Sequence, residues 1–366
     1  MPHPPGPPPG SGSAGPEPDR STGDREAQLA PERDGFRYPL YRRNDRQLAP
    51  DYAGPLYVWD IDNTYLQSEY STLRDLIRIR FEAALDKRPV AGVVELLAAL
   101  RRGGGAFEVR PPVYFVSASP RTMQRVLERR MLLDGVVHDG ISFRDLSRLR
   151  FLKDIFGYKL AALLLLRLES PPGAREVLFG DDREHDPLAY MLYARVCAGA
   201  LRGRALREHL LGHGVRADAA RYVASLASEL PERDPVAWII IRRLGRGGPE
   251  REEAARAGDE RLVFVDDYGQ AAVLLRALEL IGDQDLERTL RAVWSEGSCE
   301  LPLGAAEAVA PRLPPIGLAS AREVVQRLVG GRAAGRTSAG GIVLPSEAPR
   351  DAGAVEEGDE PSPEPA

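Results

Sequence analysis

The chain has 366 residues, of which 43% are hydrophobic and 28% charged, and its formal net charge is -5. This composition is typical of a globular protein, and the negative net charge argues against nucleic acid as a partner. Two cysteines, Cys197 and Cys299, are too few for a disulfide framework or a cysteine metal cluster. Residues 1–6 do not resemble a secretory signal and no apolar run is long enough to cross a bilayer, so we expect a cytoplasmic protein without a transmembrane segment.

The composition changes along the chain and predicts four segments. Residues 1–34 are rich in proline, glycine, serine and charge, which predicts a disordered tail. Residues 35–297 predict one folded domain with a helical insertion at about residues 198–235. Residues 298–329 predict a weakly structured extension, and residues 330–366 predict a disordered acidic tail.

Short apolar runs alternate with helical periods inside the predicted domain. The apolar runs predict strands at 56–59, 112–116, 176–179, 236–241 and 262–265. The helical periods fall at 71–85, 90–100, 121–133, 160–168, 188–230 and 270–281. Such alternation predicts an α/β fold, with a parallel sheet that is covered on both faces.

Polar side chains follow three of the predicted strands. Asp60 and Asp62 come at the end of the first strand, Ser117 follows the second, and Asp181 follows the third in an acidic loop at 180–187. Because ligands bind at the carboxyl ends of strands in open α/β sheets, we expect these side chains to lie close together. One carboxylate of the pair could be a nucleophile or a metal ligand while the other moves protons. Taken alone, the pair is equally consistent with two solvated acids at a strand end.

The strand at 262–265 also ends in two aspartates and is a competing candidate. We favour the loop after 176–179 as the partner of Asp60, because Lys159 precedes that loop by one helix and Asp186 completes it. Taken alone, Lys159 would be interpreted as a solvated residue at a helix start.

The Asp-x-Asp-x-Thr motif at 60–64, Ser117, Lys159 and the acidic loop at 180–187 together resemble the haloacid dehalogenase superfamily of phosphotransferases. The resemblance covers about residues 52–195. It implies a three-layer, Rossmann-like fold around a parallel sheet. The segments between the motifs leave no room for a large cap domain.

The resemblance also implies a role for each residue. Asp60 matches the nucleophile that forms an aspartyl-phosphate, and Asp62 matches the acid that protonates the leaving oxygen and then activates water. Ser117 would donate a hydrogen bond to a phosphoryl oxygen, and Lys159 would offset the negative charge. We expect Mg²⁺ as the cofactor, since it prefers hard oxygen ligands. Its implied ligands are Asp60, Asp181 and the backbone carbonyl of Asp62, with direct or water-mediated support from Asp182 or Asp186.

Longer strings resemble the catalytic domain of the actin-patch-type phosphatidate phosphatases and their bacterial relatives. These strings lie at 73–81, 88–92, 115–120, 158–160 and 180–187, with Tyr190. The resemblance implies Mg²⁺-dependent hydrolysis of phosphatidate to diacylglycerol, so that the phosphorylated substrate is a lipid headgroup. The chain departs from the family at Asn63, Asp182 and Arg121, where an aspartate, a serine and an aromatic residue are usual.

Two alternatives remain open. The same chemistry could act on a phosphoprotein or a nucleic-acid end, because a site without a large cap is open to bulky substrates. The acidic chain argues against nucleic acid. The chain could also be a non-catalytic binding or scaffold protein on the same fold. Loss of Asp60 or Asp62 would favour that interpretation, and both residues are present.

Overall fold

The computed structural model describes residues 27–67, 88–105, 107, 109–147, 149–151, 154–183, 185–245, 258–297 and 302–338. The helix predicted at 71–85 lies outside these residues, as do most of the two predicted tails, at 1–26 and 339–366. The chain divides into two compact units, Met1–Val325 and Gln326–Ala366. The described part of the second unit, residues 326–338, is helical.

The described residues form a mixed α/β fold of ten strands and ten α-helices. The strands are β1 (Gln28–Leu29), β2 (Glu32–Arg33), β3 (Phe36–Arg37), β4 (Leu40–Asn44), β5 (Pro55–Asp60), β6 (Val113–Pro120), β7 (Gly140–Arg144), β8 (Arg175–Asp181), β9 (Val236–Arg242) and β10 (Leu262–Val265). The helices are α1 (Val93–Arg102), α2 (Gln124–Leu133), α3 (Ile155–Glu169), α4 (Asp186–Cys197), α5 (Gly203–Gly212), α6 (Ala217–Glu229), α7 (Tyr268–Ala277), α8 (Asp283–Ser295), α9 (Gly304–Ala308) and α10 (Pro315–Ser338).

Eight strands form one large sheet in the order β1-β4-β7-β6-β5-β8-β9-β10, and β2 pairs with β3 separately. The six strands from β7 to β10 in this order are parallel to one another. Strand β4 is antiparallel to β7, and β1 is antiparallel to β4. The predicted α/β class and the five predicted strands are therefore confirmed, in a sheet that is mostly parallel.

The structure differs from the prediction at the start of the described chain. Residues 27–34, predicted as the end of a disordered tail, carry β1 and β2, and Ala27 and Ala30 are buried. The tail was predicted from composition, which measures how much apolar surface a segment can bury. Composition does not show that the backbone of β1 pairs with the backbone of β4. This pairing holds the segment at the edge of the sheet.

The order of the strands creates a crevice next to β5. The chain continues from β5 to β6 and β7 on one side of the sheet, and then returns to place β8 on the other side. Ligand sites of open α/β sheets lie at such a change of direction, beyond the carboxyl ends of the strands. All six residues of β5 are buried, and Trp59 stacks on Phe179 of β8 with ring centroids 3.9 Å apart. The strand beside the crevice is therefore fully buried and packed against β8.

Eight of the ten described α-helices pack together in two groups. One contains α3, α4, α5 and α6, and the other contains α1, α7, α8 and α9. Two groups are what a parallel sheet needs, because both of its faces are apolar and each must be covered. The segment predicted as an insertion, at about residues 198–235, contains α5 and α6.

Helix α3 carries Lys159 and begins earlier than predicted. Asp154 caps the helix by accepting a hydrogen bond from the backbone N–H of Gly157 at 2.9 Å, so Lys159 lies inside the helix and not at its start. The apolar run that follows Lys159 is buried in the core. Among the described helices, none combines the length and apolar composition that crossing a bilayer requires.

Arg202 connects the segment of α5 and α6 to the rest of the domain. Its Nε donates to the carbonyl oxygen of Val196 at 2.8 Å, and its Nη1 donates to the carbonyl oxygens of Ala227 and, at 3.1 Å, Leu230. These carbonyl groups lie at the ends of α4 and α6, where a helix leaves its last carbonyl groups without their usual partners four residues on. Those of Val196 and Ala227 also accept from the backbone N–H groups of Gly199 and Leu230. One guanidinium group thus satisfies the ends of two helices.

We predict that Arg202→Ala lowers the free energy of unfolding by about 2 kcal/mol, because several carbonyl groups lose a charged donor. Arg202→Lys should recover only part of this loss, since an ammonium group lacks the planar fork of donors. Urea unfolding measures both changes. Arg204→Ala is the matched control: Arg204 is exposed and pairs with Glu208 on the surface of α5, so its loss should have almost no effect. Equal losses for Arg202→Ala and Arg204→Ala would contradict this account.

Candidate active site

Three carboxylate groups meet at the carboxyl ends of β5 and β8. Asp60 is the last residue of β5, Asp181 is the last residue of β8, and Asp186 is the first residue of α4. One oxygen atom from each lies within 4.8 Å of the other two, and all three residues are 0% exposed. Buried like charges at this distance repel one another strongly, so the cluster requires positive charge.

Lys159 brings an ammonium group to this cluster. Its Nζ lies 3.0 Å from Asp60 Oδ1 and forms a hydrogen-bonded ion pair with Asp186, and Lys159 itself is fully buried. With all four groups ionised, negative charges outnumber positive ones by two. Hard oxygen donors with an excess of negative charge suit a hard divalent cation. The residues present therefore fit Mg²⁺.

Gly180 makes the close approach of Asp186 possible. A Cβ atom added at Gly180 would lie 2.5 Å from Asp186 Oδ2, closer than real Cβ contacts allow. The backbone N–H of Asp181 donates to the same oxygen at 3.3 Å. Asp181 Oδ1 in turn accepts from the backbone N–H of Arg183 at 2.6 Å. The Gly-Asp-Asp loop is thus folded around the two carboxylates.

Asp62 lies beside this cluster and outside the group of three. Its side chain is nearly buried, and its Oδ2 accepts a hydrogen bond from the hydroxyl of Ser119 at 2.9 Å. Ser117, on the same strand as Ser119, is also buried, and its Oγ accepts from the backbone N–H of Ser119 at 3.1 Å. The polar residues that end β5 and β6 therefore lie together, as predicted from the sequence.

The turn that follows Asp62 is held from three elements. Asn63 has a left-handed backbone, with φ of 62°, a conformation that asparagine and aspartate tolerate better than most residues. Arg242 Nη1 donates to the carbonyl oxygen of Asn63 at 2.9 Å, and Arg183 Nη1 donates to its side-chain oxygen at 3.4 Å. The hydroxyl of Tyr268 donates to the carbonyl oxygen of Thr64 at 2.5 Å. Burial raises the pKa of Tyr268 well above its ordinary value, so this hydroxyl stays a donor.

Asp182 extends from the acidic loop toward β9. Its Oδ1 accepts from the backbone N–H of Leu244 at 2.7 Å, and its own backbone N–H donates to the carbonyl oxygen of Arg242 at 3.1 Å. These contacts fasten the loop to the end of β9. The carboxylate of Asp182 is not part of the group formed by Asp60, Asp181 and Asp186.

The competing pair of acids after β10 has structural partners. Asp266 Oδ1 accepts from Arg243 at 2.8 Å, and Asp267 caps α7 by accepting from the backbone N–H of Gln270 at 3.0 Å. Cys197, the one cysteine among the described residues, is a poor nucleophile, because burial raises the pKa of its thiol to about 12. The side chains that could take part in catalysis therefore lie mainly at the carboxyl ends of β5, β6 and β8.

Three residues of this arrangement received no role in the sequence analysis. Ser119 lies two positions after Ser117, and alternation along a strand places both on one face, so this spacing could have identified it. Arg242 and Tyr268 reach the turn after Asp62 from β9 and α7. No local sequence pattern connects residues so far apart.

The family model described as the catalytic domain of phosphatidate phosphatase APP1 matches residues 56–208. The matched segment includes the three clustered aspartates, Asp62, Ser117, Ser119 and Lys159, and it excludes Arg242 and Tyr268. No curated protein matches the chain.

We predict that Lys159→Met, in metal-free buffer, lowers the free energy of unfolding by about 3–5 kcal/mol, because the buried carboxylates lose that ammonium group. The double variant Lys159→Met/Asp186→Asn should regain part of the loss, since one of the repelling charges is removed. Urea unfolding of wild type, both single variants and the double variant measures this coupling. Purely additive losses would show that Lys159 and Asp186 do not stabilise each other.

Proposed function

We propose that this protein is a Mg²⁺-dependent phosphomonoester hydrolase of the haloacid dehalogenase type, which works through an aspartyl-phosphate on Asp60. The observation that carries the proposal is the buried cluster of Asp60, Asp181 and Asp186 with Lys159, at the carboxyl ends of neighbouring strands. A second aspartate, Asp62, lies two residues after the first. A nucleophile, a proton donor and the means to offset negative charge are the parts that phosphoryl transfer needs.

We further propose phosphatidate as the substrate, with diacylglycerol and inorganic phosphate as products. The match to the catalytic domain of phosphatidate phosphatase APP1 supports this choice. The matched residues, 56–208 of this chain, contain all of the proposed catalytic residues. The chemistry of the cluster alone is common to phosphate monoesters in general. The substrate assignment therefore depends on the family match, and the reaction type depends on the cluster.

The reaction proceeds in two displacements at phosphorus. In the first, an oxygen of Asp60 forms a bond to phosphorus while the bond to the leaving oxygen breaks, and Asp62 gives its proton to that oxygen. In the second, Asp62 takes a proton from a water molecule whose oxygen attacks phosphorus, and the bond to Asp60 breaks. Inorganic phosphate is released, and both aspartates return to their starting protonation.

Lys159 and Ser117 stabilise the charges of these steps. The ammonium of Lys159 lies 3.0 Å from Asp60 Oδ1, so it reduces the repulsion between the nucleophile and an approaching phosphate dianion. Ser117 Oγ accepts from the backbone N–H of Ser119, so its own hydroxyl hydrogen is available for a phosphoryl oxygen. Neither residue changes its protonation state in this scheme.

Asp60, Asp181 and Asp186 would hold the Mg²⁺, with the backbone carbonyl of Asp62 as a further ligand. When bound, the ion supplies positive charge to the non-bridging oxygens of the phosphoryl group. The carboxylate of Asp182 is engaged by the backbone N–H of Leu244. We therefore propose that Asp182 holds the loop in position and that the carboxylates of Asp60, Asp181 and Asp186 bind the metal.

The activity test is phosphate release from p-nitrophenyl phosphate, phosphatidate in mixed micelles, a phosphopeptide and 3′-phosphorylated DNA, each with Mg²⁺ or with a chelator. We expect Mg²⁺-dependent release, with phosphatidate preferred, and a loss of at least about 10³-fold in Asp60→Asn, because the nucleophile is removed. Asp266→Asn is the control, since it makes the same chemical change outside the site and should retain the wild-type rate.

Other outcomes of this panel have clear meanings. Preference for the phosphopeptide or the DNA end would keep the reaction type and replace the lipid assignment. Absence of release from all four substrates by a folded protein would favour a non-catalytic binding protein on the same fold.

We also predict that Mg²⁺ raises the melting temperature of the wild-type protein. A ligand present at about 100 times its dissociation constant stabilises the folded state by about 2.7 kcal/mol. Asp181→Asn should abolish this response, because a ligand is lost, whereas Asp182→Asn should retain it. Thermal unfolding with and without Mg²⁺ measures the difference. An equal response in the two variants would overturn the assignment of Asp181 and Asp182.

A further inference from the structure

We propose that Ser119 is a positioning residue that orients the carboxyl group of Asp62 for proton transfer, an inference that rests on the proposed function. The hydroxyl of Ser119 donates to Asp62 Oδ2 at 2.9 Å, and both side chains are nearly buried. A general acid must hold its proton within reach of the leaving oxygen, so the rotation of its carboxyl group matters as much as its location.

Ser119 is itself held firmly in place. It lies near the end of β6, and its backbone N–H donates to Ser117 Oγ at 3.1 Å. The next residue, Pro120, is paired with Arg144 of β7 after a register shift that begins at Val116. Such irregularities re-aim side chains at the ends of strands. The hydroxyl of Ser119 thus donates to Asp62 from a strand whose other edge is paired with β7.

Two other contacts of the turn have a different target. Arg242 and Tyr268 donate to the carbonyl oxygens of Asn63 and Thr64, so they fix the path of the backbone. The hydrogen bond from Ser119 reaches the carboxyl group itself. Backbone contacts determine where the side chain of Asp62 begins, and Ser119 determines which of its oxygens is turned toward β6.

This division assigns a task to each oxygen of Asp62. Because Oδ2 accepts the hydrogen bond from Ser119, Oδ1 carries the proton that moves. In the first displacement, that proton passes from Oδ1 to the leaving oxygen as its bond to phosphorus breaks. In the second, Oδ1 receives a proton from water as the water oxygen bonds to phosphorus. Ser119 keeps its own hydrogen throughout.

The dependence of the rate on the leaving group separates positioning from simple packing. p-Nitrophenolate leaves readily without a proton, whereas an alkoxide requires one, so only the alkyl ester needs a well-oriented acid. The quantity to compare is kcat/KM, which reports on steps up to the first irreversible one and so on the first displacement. A defect in packing or in phosphate binding would lower kcat/KM for both esters alike.

The experiment measures kcat/KM of wild type and Ser119→Ala, with Mg²⁺, for p-nitrophenyl phosphate, phenyl phosphate and a soluble alkyl phosphate. General acid catalysis contributes about 10²–10⁴-fold, and we expect Ser119→Ala to lose about tenfold or more of this with the alkyl ester. With p-nitrophenyl phosphate the change should stay within about twofold, and phenyl phosphate should lie between. Ser119→Thr keeps a hydroxyl and should restore activity toward the alkyl ester.

Two further variants serve as controls. Ser117→Ala removes the neighbouring hydroxyl of the same strand and should lower kcat/KM by a similar factor for all three esters, because it acts on the phosphoryl group. In an Asp62→Asn background, Ser119→Ala should have little further effect, since the group that it positions is already lost.

The inference is overturned if Ser119→Ala lowers kcat/KM equally for all three esters, or if it leaves the alkyl ester unaffected. Either result would leave the proposed phosphatase function standing. If the wild-type protein hydrolyses none of the esters, or if Asp60→Asn hydrolyses them as well as wild type does, the proposed function fails and this inference fails with it.

Discussion

The repulsion among three buried carboxylates is the constraint on which the rest of this structure depends. Asp60, Asp181 and Asp186 would not remain together in a low-dielectric site without positive charge beside them. The sequence meets this requirement in two ways: Lys159 is buried within α3 and directed at the cluster, and Gly180 leaves room for Asp186. Hard oxygen donors with an excess of negative charge suit a divalent cation, and this is the basis of the proposed Mg²⁺ site.

The strand order provides the place where these groups can meet. Because β5 lies between β6 and β8, the carboxyl ends of three strands border one crevice. Elements that follow β8 in the chain also contribute. Strand β9 carries Arg242 and helix α7 carries Tyr268, and both residues contact the turn after Asp62. The acids come from residues 60–186, whereas the turn after Asp62 is also held by residues that follow this segment in the chain.

The sequence was sufficient for five of the ten described strands, β5, β6, β8, β9 and β10. Apolar runs that stop at Asp60, Ser117 and Asp181 identified buried strands, because a fully covered strand tolerates few polar residues. The amino-terminal strands were missed, since β1 is held by backbone pairing that composition does not reflect. The direction of Asp182 could not be predicted either, because it is set by a hydrogen bond from Leu244, which lies 62 residues further along the chain.

The pairing of β8 with β9 has a practical consequence for the limits of the domain. A fragment cut to the matched segment, residues 56–208, would end inside α5 and lack β9 and β10. Strand β8 would then become an edge strand with apolar residues on both faces, and β7 would lose its partner β4. Uncovered strands of this kind promote aggregation. The segment that matches the family model therefore leaves out strands that pair with both sides of its own part of the sheet.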